Sequence, residues 1–257
     1  MKVKTKSPLK SKPLRYVAQS ADEAIDDLLN EKISFFLISI IFLSYVIFQE
    51  WYRFYNPVSQ PPVFATVILG LMILLCLYLA VKNFLKLKHM KLGRDGERAV
   101  GQYLEELRES GCRVYHDIVG DRFNVDHVLI SEKGIYVIET KTYSKPAFGN
   151  PVISYDGESI KINGHDTVSD IIVQAKAAAN HIKGILKEST GNEYEPFPVI
   201  LFPGWFIDGK GNRDGKLWVL EPKAFKKFFE AQPNKLKPES VNLVSYHLSR
   251  HIRTHLN

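Results

Sequence analysis

The chain has 257 residues, of which 45% are hydrophobic and 24% are charged, and this composition excludes a disordered, collagen-like or disulfide-stapled protein. The formal net charge of +6 would suggest a nucleic-acid-binding protein if it were spread over the whole chain. However, residues 1–91 hold 12 of the 34 Lys and Arg and 6 of the 28 Asp and Glu, whereas residues 92–257 hold 22 of each. The positive excess therefore belongs to the N-terminal third alone.

Two long apolar segments occupy this N-terminal third. Residues 33–48 form a charge-free run of 16 residues, and residues 63–81 form a second run of 19. About 20 apolar residues in a helix span the hydrocarbon core of a bilayer. The first run is shorter, but aromatic residues that favour the membrane interface follow it over residues 51–55. We predict a transmembrane helical hairpin over residues 33–81; the alternative is one membrane helix and one buried core helix.

The cations beside these segments predict the orientation of the hairpin. The flanking cations are Lys2, Lys4, Lys6, Lys10, Lys12, Arg15 and Lys32 before the first segment, and Lys82, Lys86, Lys88 and Lys91 after the second. Residues 49–62 contain only Arg53. Because positive charge stays on the cytoplasmic side, both termini are expected in the cytoplasm of a multi-pass cell-membrane protein. Residues 1–32 would form a basic cytoplasmic segment, and residues 82–92 a linker.

Residues 93–257 are long enough for one α/β domain with a sizeable core. Periodicity and turn residues predict its elements in chain order. The expected helices are 94–109, 169–187 and two near 222–229 and 238–255, and the expected strands are 113–118, 125–130, 135–142, 152–155, 159–162, 197–202 and 217–220.

The hairpin of the second and third strands carries the most informative chemistry. A two-residue turn at positions 132 and 133 pairs Val128 with Val137, and places Asp126 opposite Glu139. At a separation of about 5 Å and an effective dielectric constant of about 20, two opposed carboxylates repel by roughly 3 kcal/mol. Something positive must offset this repulsion.

Two sources of positive charge are candidates to offset the repulsion between Asp126 and Glu139, and one alternative interpretation requires neither. Lys141 lies on the same strand face as Glu139, and a divalent cation such as Mg²⁺ is typically held by one or two carboxylates and phosphate oxygens. The alternative is an exposed strand face of Glu and Lys, with Asp126 in a turn. Spacing alone does not decide between these interpretations.

A third acid and a glutamine point to the same region. Glu97 lies on the inward face of the first domain helix, together with Val100 and Leu104. The helix dipole also favours a carboxylate near the start of a helix, but this effect does not require the side chain to face inward. Gln174 borders the apolar stripe of a later helix. If both helices pack on the polar end of the hairpin, these side chains converge with Asp126.

Three segments form a recognisable set of motifs: residues 93–100 (GRDGERAV), 124–130 (NVDHVLI) and 134–142 (GIYVIETKT). Together they resemble the nuclease-related domain (NERD) family of the PD-(D/E)xK nuclease-like superfamily. The resemblance extends over about residues 93–202. It implies a restriction-endonuclease-like mixed sheet flanked by helices, and DNA-processing nuclease activity.

The resemblance also implies roles for individual residues. Asp126 stands at the motif aspartate, although Val125 replaces the proline of the literal motif, and Glu139 with Lys141 supplies the (D/E)xK. Glu97 matches the helix-borne acid and Gln174 the later glutamine. Asp126 and Glu139, with Glu97, would hold Mg²⁺ or Mn²⁺, and Lys141 would assist the nucleophile or the transition state. A catalytically inactive nucleic-acid-binding or protein-interaction module tethered to the membrane is the alternative.

Two histidine patterns carry no catalytic prediction. His247, His251 and His255 recur at helical spacing in the final helix, but arginines surround them and we expect a solvated basic face. His127 lies on the strand face opposite to Asp126, where we expect a packed or hydrogen-bonded role.

Overall fold

The computed structural model describes residues 14–56, 61–120, 123–146, 149–166 and 170–254. The chain divides into two compact units. One unit is Ser20–Arg94, and the other combines Met1–Gln19 with Asp95–Asn257. The described helices are α1 (Gln19–Asp27), α2 (Ser34–Tyr55), α3 (Val63–Glu106), α4 (Ile171–Thr190), α5 (Pro222–Glu230) and α6 (Pro238–Thr254), with a π-helical turn at Leu28–Ile33 and 3₁₀ turns at Leu107–Ser110 and Lys210–Asp214.

The unit Ser20–Arg94 contains both apolar helices expected from the sequence. These helical stretches are long and apolar enough to cross a membrane, and only 11% and 6% of their most apolar windows are buried. Such exposure is not that of a core helix in a soluble protein. Within the unit, Trp51 Nε1 of α2 donates to Thr66 Oγ1 of α3 at 2.9 Å, which joins the two helices near their connection.

Helix α3 is continuous for 44 residues. It therefore includes the residues expected as a linker, 82–92, and most of the helix predicted over 94–109. Nothing in residues 82–93 interrupts a helix except Gly93, whose cost of about 1 kcal/mol is tolerated in a long helix. The helix closes through the 3₁₀ turn, and Gly111 follows it with a φ of 83°.

The domain contains nine described strands in two sheets. In chain order they are β1 (Arg113–Val119), β2 (Asn124–Ser131), β3 (Gly134–Thr140), β4 (Val152–Tyr155), β5 (Ile160–Ile162), β6 (His165–Asp166), β7 (Phe197–Leu201), β8 (Phe206–Asp208) and β9 (Trp218–Leu220). The main sheet has the order β1-β2-β3-β7-β9. Its first three strands are antiparallel, whereas β3, β7 and β9 are parallel. The second sheet has the order β6-β5-β4-β8.

Helices cover both faces of the main sheet. On one face, Val128 and Val137 belong to a buried cluster with α4 and α6. On the other face, Leu129 belongs to a cluster with the last turns of α3 and with α5. The second sheet packs its Ile153 with Phe202, which directly follows β7. The predicted fold class, a mixed α/β sheet flanked by helices and preceded by apolar helices, is confirmed.

Residues 14–19 belong to the same unit as the domain. Arg15 Nε donates to Asp117 Oδ2 at 2.7 Å, and their side chains are only 8% and 5% exposed. Val17 packs on helix α3 at Gly101, where an added Cβ would lie 2.7 Å from two Val17 methyl carbons. The sequence interpretation treated residues 1–32 as one segment, whereas in the described part of that segment residues 14–19 and 20–32 belong to different units.

Candidate active site

The β2–β3 hairpin has the register predicted from the sequence. Val128 pairs with Val137, Ser131 pairs with Gly134, and the residues between them form the two-residue turn. The last pair of this ladder is His127 with Ile138. The ladder therefore ends one position before Asp126 and Glu139.

Just beyond the end of the ladder, the Asp126 side chain accepts a backbone hydrogen bond from β3. The backbone N–H of Thr140 donates to Asp126 Oδ2 at 2.7 Å. A side-chain carboxylate thus accepts a hydrogen bond that a backbone carbonyl would accept in a continuing ladder. Asp126 lies inside strand β2 and is half-buried, so the alternative that placed it in a turn does not describe this structure.

The electrostatic environment of Asp126 shows that the acids converge. Burial, followed by the negative charges of Glu139 and Glu97, raises the pKa of Asp126 well above its ordinary value. The Thr140 N–H and the charge of Lys141 act in the opposite direction without cancelling this effect. Both neighbouring acids therefore oppose the ionisation of Asp126.

Lys141 supplies the local positive charge. Its Nζ lies 2.7 Å from Glu139 Oε1, and the two side chains are 24% and 13% exposed. Burial alone would lower the pKa of Lys141, but the charge and hydrogen bond of Glu139, with the charge of Asp126, raise it above its ordinary value. The Lys141 N–H donates to the Leu201 carbonyl at 3.0 Å, which holds this residue beside β7 after β3 has ended.

Glu97 reaches the site through a close approach of helix α3. The preceding residue is Gly96, and a Cβ at this position would lie only 1.8 Å from Thr142 Oγ1. Glycine therefore lets the helix pass directly against the segment that follows Lys141. Glu97 is half-buried, and its charge acts on Asp126.

Gln174 occupies a different environment. Asp170 caps the start of α4 by accepting from the Val173 N–H at 3.1 Å, and Gln174 follows in the first turn with an exposed side chain. Among the described residues, no hydrogen bond joins its amide to the four charged residues. The structure thus brings Glu97, Asp126, Glu139 and Lys141 together and leaves Gln174 on the helix surface.

The donor set at this site suits a cation that takes few protein ligands. One oxygen of each opposed acid is committed, Asp126 Oδ2 to Thr140 and Glu139 Oε1 to Lys141. Within the described part of the chain, Asp126 Oδ1 and Glu139 Oε2 have no hydrogen-bond partner. No three His, Cys, Asp or Glu side chains among the described residues form a metal-binding cluster. Two carboxylates with open oxygens fit Mg²⁺, which completes its shell with water and phosphate oxygens.

Of the histidines set aside in the sequence analysis, those that the structure describes take part in no such cluster. His247 and His251 lie on α6, and His255 lies outside the described residues. His127 is fully buried and hydrogen-bonds to Thr140 and His116. No sequence signal pointed to Thr140, because its contribution to the site is a backbone N–H that any residue except proline carries.

Comparisons with known proteins identify a family model that covers the part of the chain containing these residues. An uncharacterized protein of Bacillus anthracis is 33% identical over 63 residues, which cover 23% of this chain and 30% of that protein. The chain thus matches less than a third of the length of this relative. No solved structure matches the chain. Residues 92–203 match the family model described as the nuclease-related domain, and this match, which includes the four charged site residues and Gln174, supports assigning the segment to the NERD family.

Proposed function

We propose that the chain is a membrane-anchored, nuclease-like protein of the PD-(D/E)xK type, whose domain hydrolyses DNA phosphodiester bonds with Mg²⁺ or Mn²⁺. The observation that carries this proposal is the opposition of Asp126 and Glu139 beside Lys141 at the open end of a hairpin. The match of residues 92–203 to the nuclease-related domain model, which covers these three residues, supports the proposal. A protein-interaction module would not require Asp126 and Glu139 to lie close enough to repel each other, so their proximity favours a functional site.

The residues of the site divide the chemical work. Asp126 and Glu139 would hold the cation through their open oxygens, and Glu97 would add negative charge that favours cation binding. The bound cation would supply a more acidic water and stabilise charge on the phosphate oxygens. The Lys141 ammonium, fixed by Glu139, would orient the attacking water or stabilise the transition state. The exposed Gln174 amide would position the substrate backbone.

Charge sets the expected strength of nucleic-acid binding. Residues 92–257 have equal numbers of cationic and anionic side chains, so the domain has no large excess of cations to neutralise phosphates. We therefore expect weak, cation-assisted engagement of DNA, with affinity that falls less steeply with salt than for a basic DNA-binding domain.

The membrane part of the proposal rests on three observations. The apolar helices are exposed over most of their surface, and cations flank both segments but not the connection between them. In addition, residues 14–19 pack with residues after position 94 in one unit, although the chain passes through both apolar segments in between. Two crossings return the chain to the side on which it started, and the positive flanks favour the cytoplasm.

The decisive experiment measures cleavage and binding with the full chain in detergent micelles or nanodiscs. Linear, circular and single-stranded DNA, and RNA, are incubated with Mg²⁺, Mn²⁺ or a chelator. Asp126→Ala and Lys141→Ala are compared with the exposed controls Glu188→Ala and Lys216→Ala. We expect metal-dependent DNA cleavage that both site variants lose and both controls keep.

Each other outcome selects a different function. Binding without cleavage under every metal would favour a silent nucleic-acid-binding module. Cleavage of RNA alone would correct the substrate. The absence of both binding and cleavage would reject the nucleic-acid proposals and leave a protein-interaction module.

A further inference from the structure

Four side chains form a hydrogen-bonded chain across the main sheet, on the face opposite to Asp126. Thr140 Oγ1 of β3 lies 3.3 Å from His127 Nε2 of β2. His127 Nδ1 lies 2.9 Å from His116 Nδ1 of β1, and the two histidines are directly paired in the β1–β2 register. His116 Nε2 lies 2.6 Å from Glu105 Oε1 of α3. We call these four residues, from Glu105 to Thr140, the belt.

One order of donors satisfies every atom of the belt. A carboxylate only accepts, and a neutral imidazole has one donor and one acceptor nitrogen. His116 then donates from Nε2 to Glu105, and His127 donates from Nδ1 to His116. This leaves His127 Nε2 as an acceptor, so the Thr140 hydroxyl must donate to it. This order of donors applies to two neutral imidazole rings.

The belt ends on the residue that holds Asp126. Thr140 is 8% exposed and makes two hydrogen bonds to strand β2, one from its hydroxyl to His127 and one from its backbone N–H to Asp126 Oδ2. These bonds lie just beyond the last ladder pair, His127 with Ile138, and hold the two strands together where ladder pairing has ended. A shift of Thr140 would therefore move the Asp126 carboxylate relative to Glu139.

We propose that the belt is a positioning device that acts through Thr140 to fix the Asp126 carboxylate in the candidate metal site. The inference rests on the proposed function insofar as it takes Asp126 to be a cation ligand. Residues that orient metal ligands typically change metal affinity by about 10- to 100-fold when they are replaced. The belt residues would touch neither cation nor substrate, so their effect appears first in cation affinity.

Mn²⁺ binding by the full chain in detergent micelles tests this inference without any need for hydrolysis. Thr140→Val removes the hydroxyl at nearly constant volume, whereas Thr140→Ser keeps it. Thr190→Val removes a hydroxyl on α4 and serves as the matched control. We expect the dissociation constant for Mn²⁺ to rise about tenfold in Thr140→Val, and to stay within about twofold of wild type in the other two.

Two failures can be told apart. If Asp126→Ala weakens Mn²⁺ binding but Thr140→Val binds like the wild type, the belt inference is wrong and the metal site stands. If wild type binds Mn²⁺ no better than Asp126→Ala, the proposed metal site is itself rejected, and the inference with it.

A second measurement uses the unmodified protein and does not depend on a folded variant. Nitrogen-15 NMR of the imidazole rings, recorded with a chelator present, distinguishes the two tautomers of each histidine. The belt requires the proton on Nε2 of His116 and on Nδ1 of His127. Observation of the opposite tautomer at either ring would overturn the inference.

Discussion

Arg15 and Asp117 are 102 positions apart in the sequence, yet Arg15 Nε donates to Asp117 Oδ2 at 2.7 Å in a nearly dry environment. Removal of one partner of a buried ion pair typically costs about 3–5 kcal/mol. We predict that Arg15→Met lowers the free energy of unfolding of the domain by an amount in this range. Urea unfolding followed by tryptophan fluorescence of the full chain in detergent measures the change.

A double variant separates the lost charge pair from lost packing. Asp117 has a φ of 49°, a conformation that asparagine also tolerates. Arg15→Met with Asp117→Asn should therefore be more stable than Arg15→Met alone, because no buried charge remains. Equal stability of the single and double variants would show that the ion pair does not fasten the N-terminal segment.

The close approach at Gly96 predicts a sharp difference between two glycines of helix α3. Gly96→Ala forces a Cβ against Thr142, whereas Gly93→Ala meets no atom within 4 Å. Overpacking typically costs about 1–3 kcal/mol, and a helical Gly-to-Ala change in open space gains up to about 1 kcal/mol. We expect a lower Tm for Gly96→Ala and an equal or higher Tm for Gly93→Ala, measured by thermal unfolding.

Thr142→Ala provides the compensation test for Gly96→Ala. It removes the Thr142 atoms at 1.8 and 3.1 Å from the new Cβ and leaves its own Cβ at 2.9 Å, so it should restore part of the lost stability. A double variant no more stable than Gly96→Ala would contradict the steric explanation.

The buried histidines predict a dependence of stability on pH. Burial lowers the pKa of His116 and, further, that of His127, whereas histidine in an unfolded chain has a pKa of about 6.5. Below that pH the unfolded chain binds more protons than the folded chain. The free energy of unfolding should therefore fall as the pH drops from about 6.5 toward the lowered values, and these groups add no pH dependence above about 6.5.

Matched glutamine variants isolate the histidine contribution. The raised pKa of Asp126 contributes to the pH dependence of the unfolding free energy with the opposite sign, because the stability it adds is lost as the pH rises through its folded-state pKa. We therefore compare urea unfolding curves between about pH 5 and pH 8 for wild type, His127→Gln and the exposed control His165→Gln, with chelator present. His127→Gln should show a shallower slope below about pH 6.5; identical slopes for all three proteins would reject the prediction.

The proposed topology predicts which positions an impermeant thiol reagent reaches in intact cells. Asn56→Cys, at the exposed end of α2, should be labelled from outside, whereas Glu188→Cys in the domain should be labelled only after permeabilisation. Both changes are made in a Cys76→Ser background, and the native Cys112 is buried. Labelling of Glu188→Cys in intact cells would reverse the orientation.

Sequence patterns predicted those features whose causes are local. Alternating apolar residues and a two-residue turn were sufficient for the pairing of Val128 with Val137, and thus for the neighbourhood of Asp126 and Glu139. The separate helix expected from residue 94 is instead the last part of α3, which is continuous from Val63 to Glu106. A charged run resembles a linker when nothing shows that the helix continues through it. Strand β8 was not predicted, since three residues carry too little periodicity to identify a strand.

Features that depend on distant partners could not be predicted in this way. The Thr140 N–H has no sequence signature. The residues next to Arg15 in the sequence also do not indicate that it pairs with Asp117 of strand β1. The two histidines of the belt become a pair only when β1 lies beside β2. These contacts arise from tertiary packing, which local pattern does not encode.

The docking of residues 14–19 makes the apolar hairpin an insertion within the chain of the domain. Their partners Gly101 and Asp117 follow both apolar helices in the sequence, so residues 14–19 can dock only after both helices have been synthesised. A fragment that starts at residue 92 would lack Arg15 and Val17, so it would lose contacts that the domain makes with residues 14–19.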